Sequence, residues 1–178
     1  MPDLDHAELR RESTRIALGL GSNLGDSQAH LHQAVGLLCQ ARIGNKPAIA
    51  SVSLSSIITT PPHRCEAGAQ PFSYAVLIAD TRLRPIALLD LCQTIEEQMG
   101  RPGNRSRNQG EPYANRIIDI DILLYGNTVT NEERLIIPHP ELHCRQFVLE
   151  PLCELAPGWM VPLLNQTTKA LLHKLTPG

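Results

Sequence analysis

Asn115 to Gly126 reads NRIIDIDILLYG, and no other stretch restricts the fold of this chain so strongly. Its isoleucines and leucines predict a strand. With a period of two, Ile118, Ile120, Ile122 and Leu124 share one face, and Ile117, Asp119, Asp121 and Leu123 share the other. The strand must therefore bury one aliphatic face while carrying two carboxylates on the other, roughly 6–7 Å apart. Aspartate is depleted in strands, and an unpaired carboxylate is costly to bury. Such a pair is expected to meet a divalent cation. A small set of hard oxygen ligands suits magnesium, which keeps room for waters and phosphate oxygens. Solvated aspartates on a sheet edge are the alternative, and the segment just upstream argues against it.

That upstream segment, Arg101 to Arg116, holds Arg101, Arg105, Arg107 and Arg116 among Pro102, Gly103 and Gly110, with no apolar period. A run of arginines is often a solvated surface. Leading directly into paired aspartates, it reads instead as a flexible phosphate-binding loop, because guanidinium forks match phosphate oxygens. His139, held between Pro138 and Pro140, and Arg145 are further candidates for phosphate contacts. A metal–triphosphate site of this kind suits phosphoryl-type transfer, in which the protein supplies position and charge.

The remaining elements assemble around that strand. Ile16–Gly21 reads as a short strand, and Asp26 or Ser27 caps a helix whose stripe is Leu31, Ala34, Val35 and Leu38. Ile49–Thr60 reads as one long strand ending at Pro61-Pro62. After a loop from His63 to Pro71, Phe72–Arg82 is expected to return antiparallel to it. Pro85 opens a second helix, buried through Leu88, Leu91, Cys92, Ile95 and Met99 and ended by Gly100. The order β-α-β-β-α-β predicts an α+β, ferredoxin-like fold, an antiparallel sheet with helices packed on it in α/β/α layers. Residues 1–15 are charged throughout and are expected to be a flexible tail, with residues 16–178 forming one domain.

Charge and cysteine content bound the partners. A formal net charge of -2 gives no global attraction to nucleic acid or anionic lipid. No apolar run approaches membrane-spanning length. Five cysteines form neither a CxxC pair nor a zinc-ligand spacing, which predicts a reducing, cytoplasmic setting with most thiols packed as small hydrophobes. The Gly19-Leu-Gly21-Ser-Asn-Leu-Gly25 segment lies where phosphate-cradling loops occur, between strand and helix. It lacks the spacing of a dinucleotide fingerprint and the Gly-Lys-Ser/Thr of a P-loop, so by itself it reads as a tight turn.

Taken together, these segments resemble the 6-hydroxymethyl-7,8-dihydropterin pyrophosphokinase family of folate biosynthesis, over roughly Ile16 to Pro162. The carrying motifs are Arg116-x-x-Asp-x-Asp-Ile-Leu-Leu-Tyr-Gly126, Ile137-Pro-His-Pro140, Arg145-x-Phe147-Val-Leu-x-Pro-Leu152, Gly21-Ser-Asn-Leu-Gly25 and the Thr60-Pro61-Pro62 turn. The resemblance implies an ATP-dependent diphosphotransferase that passes the pyrophosphoryl group of ATP to the hydroxymethyl oxygen of the pterin, releasing AMP. It implies two magnesium ions on Asp119 and Asp121, with Arg101 and Arg116 as catalytic partners. It assigns Gln93, Arg116, Arg134, His139 and Arg145 to the nucleotide. Phe72 and Phe147, the only two phenylalanines of the chain, match the aromatic pair that stacks the pterin. Thr60, Pro61 and Tyr74 complete the substrate side. A single domain acting on small molecules is expected to be a monomer with no nucleic-acid or membrane partner.

Three departures from the family pattern stand out. Tyr74 occupies the position of a family asparagine, two residues beyond the stacking aromatic. On the family pattern alone, Tyr74→Asn is expected to strengthen pterin binding. The Arg101–Arg116 loop is longer than usual, so Arg105 and Arg107 have no fixed counterpart. The loop's family tryptophan is absent, with Tyr113 its nearest substitute. Tyr74 favours a second reading, a non-catalytic or altered-specificity paralogue. A ferredoxin-like RNA-binding module would need a basic surface and aromatics on the sheet face, which the acidic balance opposes.

Overall fold

The computed structural model describes residues 9–61, 71–101 and 115–176. Strand β1 (Leu9–Ser22) alternates strictly over its second half: Ile16, Leu18 and Leu20 are fully buried on one face, while Ala17, Gly19 and Gly21 lie on the other. It leads into helix α1 (Ser27–Gln40), where the Asp26 carboxylate caps the first turn by accepting from the Ala29 N–H at 3.0 Å. Leu31, Ala34 and Leu38 form the helix's buried stripe. A small hairpin, β2 (Arg42–Ile43) and β3 (Lys46–Pro47), precedes β4 (Ile49–Leu54) and β5 (Ile58–Thr60). Then follow β6 (Phe72–Leu83) and α2 (Pro85–Gln98), the latter started by Pro85 and closed by Gly100 at φ +93°. The aspartate strand is β7 (Asp119–Tyr125). Beyond it come β8 (Thr130–Asn131), β9 (Ile136–Ile137), α3 (Gln146–Leu155), β10 (Met160–Val161), β11 (Gln166–Thr167) and α4 (Thr168–Leu175).

The main sheet runs β4-β6-β1-β7, antiparallel throughout, with β5 pairing further along β6. This is the ferredoxin-like order that the element sequence predicts. One face carries the larger core, where Leu18, Leu20, Leu77 and Ile120 meet Leu31 and Leu38 of α1 and Leu88, Leu91 and Ile95 of α2. The other face packs Ala17, Val76, Ile78 and Leu123 against Val148, Leu149 and Leu152 of α3 and Leu171 of α4. The layers are therefore α/β/α. Each fully buried leucine or isoleucine contributes about 1.5–3 kcal/mol, so both faces hold the sheet. Among the described residues, no helix is long and apolar enough to cross a membrane.

Several expectations are corrected. Strand β1 starts at Leu9 rather than Ile16: Thr14 and Arg15 pair with Thr81 and Asp80, and the Arg10 and Arg15 guanidiniums lie over the Tyr125 and Trp159 rings. The expected tail thus loses residues 9–15 to the sheet. Ile49–Thr60 is not one strand. At its break, Ser55 takes over the ladder with its side chain, its hydroxyl oxygen accepting from the Val76 N–H at 2.9 Å, while the Ser56 N–H turns to Glu154 of α3. In β7 the alternation slips between Ile122 and Leu124, where the register with β1 shifts. Leu124 consequently joins Leu123 in the core under α3, and Tyr125 takes the place expected of Leu124. The thiols also differ from expectation: of the described cysteines only Cys92 is buried, while Cys39 and Cys144 are exposed.

Candidate active site

β1 is the middle strand of the site, and its register sets the geometry. Gly21 stands between Tyr74 of β6 and Asp119 of β7, and Gly19 stands between Val76 and Asp121. Side chains at these positions share the sheet face that α3 covers. With no β-carbon at 19 or 21, β1 forms the floor of a groove whose walls are Tyr74 on one side and the two aspartates on the other. The aspartate pair expected from the period-two pattern is therefore present on one face, each carboxylate half-buried.

Asp119 is the electrostatic centre. Its carboxylate accepts from both Arg101 and Arg116, one guanidinium on each oxygen. Burial pushes its carboxyl up, but the two guanidiniums outweigh this by charge and hydrogen bond and hold it below the usual range. Asp121 behaves oppositely. Burial and then the neighbouring charge of Asp119 raise its carboxyl to about 7, against a weaker pull from Arg145, Arg116 and Arg101. A pair in which the second carboxylate resists ionisation is one that a divalent cation relieves. The donor set is two hard carboxylates, which fits magnesium retaining water and phosphate ligands. Among the described residues, no group of three or more His, Cys, Asp or Glu could hold a metal by itself.

Two residues that hold this arrangement were not singled out from the sequence. Glu96 of α2 is 1% exposed, and its Oε1 accepts from the Arg101 guanidinium at 2.6 Å and from the Ile120 N–H at 2.7 Å. It thus ties the end of α2 to the peptide between the two aspartates. The signal was present: Glu96 lies four residues after Cys92 on the helix's buried stripe, where a carboxylate persists only if paired. Asn23, 1% exposed, is the second. Its side-chain oxygen accepts from the Arg116 N–H at 2.7 Å, its amide donates to Asn115 at 2.7 Å, and its own N–H donates to the Arg116 carbonyl. The turn that follows β1 therefore anchors Arg116 through Asn23.

The other expected residues fall into three groups. Phe72, Thr60 and Pro61 lie together where β5 meets β6, Thr60 pairing with Phe72. Phe147 and Arg145 stand at the start of α3. The Arg145 guanidinium lies 5.8 Å from the Phe147 ring centre and pairs with Glu141, and Tyr74 meets Phe147 edge to face at 5.1 Å. His139 sits beside β7, its N–H donating to the Leu123 carbonyl at 3.0 Å while its Nδ1 accepts from the Glu141 N–H. Burial and then the Arg145 charge lower its pKa to about 4, so it is neutral at physiological pH. Gln93 and Arg134 form the third group, Arg134 donating to Gln93 and, at 2.6 Å, to Asp90. Arg105, Arg107 and Tyr113 lie outside the described residues.

Tyr74 is 7% exposed and its ring lies along the glycine floor. Burial, followed by the charges of Asp121 and Asp119, pushes its phenol well above its ordinary pKa.

Residues 17–157 match the family described as 7,8-dihydro-6-hydroxymethylpterin-pyrophosphokinase. The 2-amino-4-hydroxy-6-hydroxymethyldihydropteridine pyrophosphokinase of Methylorubrum extorquens is 39% identical over 164 residues, covering 92% of this chain and 95% of its own. The Bacillus subtilis enzyme of that name is 41% identical over 138 residues, covering 78% and 75%. Among solved structures, wild-type Plasmodium falciparum HPPK-DHPS with pteroate superposes with a TM-score of 0.69 at 14% identity, a likeness of fold alone. It takes in 92% of this chain, which spans 44% of that longer protein. By these matches the chain belongs to the 7,8-dihydro-6-hydroxymethylpterin-pyrophosphokinase family.

Proposed function

We propose that this protein transfers the pyrophosphoryl group of ATP to the hydroxymethyl oxygen of 6-hydroxymethyl-7,8-dihydropterin, giving AMP and the pterin diphosphate in folate biosynthesis. The observation that carries the reading is Asp119 and Asp121 on one face of β7, with Arg101 and Arg116 on Asp119, inside a chain of this family. The aspartate pair would hold two magnesium ions. Bound there, magnesium would draw charge from the phosphates and neutralise the AMP leaving group.

The chain's own residues would do the positioning. Arg101 and Arg116 sit at the carboxylates and have fork geometry equally suited to phosphate oxygens, so they can exchange one anion for the other. Asn23 and Glu96 fix where those arginines start. Neutral His139 with Arg145, and Gln93 with Arg134, would receive the rest of the nucleotide. Phe72 and Phe147 would clasp the flat pterin, with Thr60, Pro61 and Tyr74 around it. The protein would act as a cytoplasmic monomer without nucleic-acid or membrane partners.

The test is AMP formation from ATP and magnesium, with and without hydroxymethyl-dihydropterin. AMP appearing only with the pterin supports the reading, and ATP consumption that ignores the pterin refutes it. The Tyr74 ring in the groove favours a second reading, a paralogue that binds the same ligands without turnover. Tight pterin binding with no AMP would select it.

A further inference from the structure

The hydroxyl of Tyr74 is buried and, among the described residues, has no hydrogen-bond partner. Tyr125, the other buried tyrosine among the described residues, shows the usual outcome, donating to the Leu83 carbonyl at 2.6 Å. Buried tyrosine hydroxyls find partners because an orphaned one forfeits its hydration without return. At position 74 a phenylalanine would fill the same space without that cost.

The space itself is shaped to the phenol. A β-carbon at Gly19 would stand 2.2 Å from the Tyr74 hydroxyl oxygen, and one at Gly21 would stand 3.2 Å from its ring. Gly19 and Tyr74 are thus a matched pair: the ring can lie here only because residue 19 has no side chain. Glycine weakens a strand interior, so the groove is kept at a cost in β1. The hydroxyl ends near Leu123, which offers it no acceptor from its side chain. Phe147 flanks the ring on one side and the aspartates stand across the groove.

We propose that Gly19 and Tyr74 together rebuild the heterocycle site around a phenol, with the Tyr74 hydroxyl donating a hydrogen bond to an acceptor atom, a ring nitrogen or carbonyl oxygen, on the edge of the bound pterin. Tyr74 is then a specificity-determining residue and Gly19 its positioning partner. This rests on the proposed function, since it names what that site reads. It also reverses the expectation for asparagine at 74, whose shorter side chain cannot span the groove left by two glycines.

The experiment measures hydroxymethyl-dihydropterin affinity by calorimetry, in the presence of magnesium and a non-hydrolysable ATP analogue, for wild type, Tyr74→Phe, Tyr74→Asn and Gly19→Ala. Thermal melting and binding of the ATP analogue alone are recorded for each. Tyr74→Phe should weaken pterin binding about tenfold while its Tm stays level or rises, because the orphaned hydroxyl is gone. Analogue binding should not change. Tyr74→Asn and Gly19→Ala should also lose pterin affinity. Pterin affinity in Tyr74→Phe equal to or above wild type overturns the inference, as does wild-type affinity in Gly19→Ala. If wild type binds the pterin and forms AMP but Tyr74→Phe binds equally well, only this inference fails. If wild type neither binds the pterin nor forms AMP, the proposed function fails with it.

Discussion

Replacing Glu96 with alanine removes one oxygen that serves two donors at once, the Arg101 guanidinium at 2.6 Å and the Ile120 N–H at 2.7 Å. Losing the acceptor of a buried N–H costs about 1–3 kcal/mol. Breaking a buried ion pair costs about 3–5 kcal/mol, but Arg101 keeps Asp119 and is 16% exposed, which places its share at the low end. The two losses overlap, giving about 3–5 kcal/mol for Glu96→Ala, a large part of the roughly 5–15 kcal/mol that holds a domain together. At this chain length that is a fall in Tm of roughly 6–20 °C. Glu96→Gln keeps an acceptor in place and loses only the charge, so it should cost about 1–2 kcal/mol. Urea unfolding followed by circular dichroism separates the two. Equal losses for alanine and glutamine, or a loss under about 1 kcal/mol for alanine, would refute the bridging role. Because Arg101 keeps Asp119 but loses the Glu96 charge that positions it, Glu96→Gln should also lower kcat while KM for the pterin stays near wild type.

Asp119→Ala and Asp121→Ala should each abolish AMP formation while the far-ultraviolet spectrum is kept, since each removes a proposed metal ligand and metal charge stabilisation is worth several kcal/mol; near-normal turnover with magnesium would sink the assignment. Asp121 is raised to about 7 in the fold from 3.8, so its stability contribution is full below about pH 4 and lost as the pH climbs to about 7. In metal-free buffer Asp121→Asn should therefore melt above wild type at pH 8 and level with it near pH 4, and magnesium with the ATP analogue should narrow the gap at pH 8. His139 is lowered from 6.5 to about 4, so its contribution is present above pH 6.5 and fades as the pH falls towards 4. His139→Gln should flatten the melting profile across that window, and an unchanged slope would show that His139 titrates normally.

What the sequence made legible was whatever depends on local period. The face shared by Asp119 and Asp121 follows from alternation alone, and α1 and α2 follow from their stripes and caps. The sheet order followed from the order of elements. What escaped depends on contacts between elements. Nothing in Leu54-Ser55-Ser56-Ile57 announces that a serine hydroxyl replaces a backbone rung, because serine is compatible with a continuing strand. The bulge that sends Leu124 to the other core is likewise set by pairing with β1, not by the residues of β7. Among the site residues, Asp119 was found by pattern, whereas its supports Glu96 and Asn23 act through groups some distance away in the chain. Glu96 could have been found as a charge on a buried stripe. Asn23 could not, since a polar residue after a strand reads as an ordinary turn.

The glycines of β1 show how the same residues can carry two opposite readings. Gly19-Leu-Gly21 followed by Ser-Asn-Leu-Gly25 has the look of a phosphate loop, yet Leu18 and Leu20 are fully buried and Gly19 and Gly21 pair on both sides. Of the three glycines, only Gly25, at φ +58°, has the backbone of a turn. Gly19 and Gly21 serve space, not conformation. Side chains at both positions would collide with the Tyr74 ring, which a β-carbon at 19 would meet at 2.2 Å and one at 21 at 3.2 Å. The cost of glycine in a strand interior, about 0.5–1 kcal/mol relative to alanine, is small beside the burial of the α3 leucines on the same face. The fold can therefore lay the Tyr74 ring against β1, and the site forms there because β1 runs between β6 and β7, which supply a phenol from one side and two carboxylates from the other.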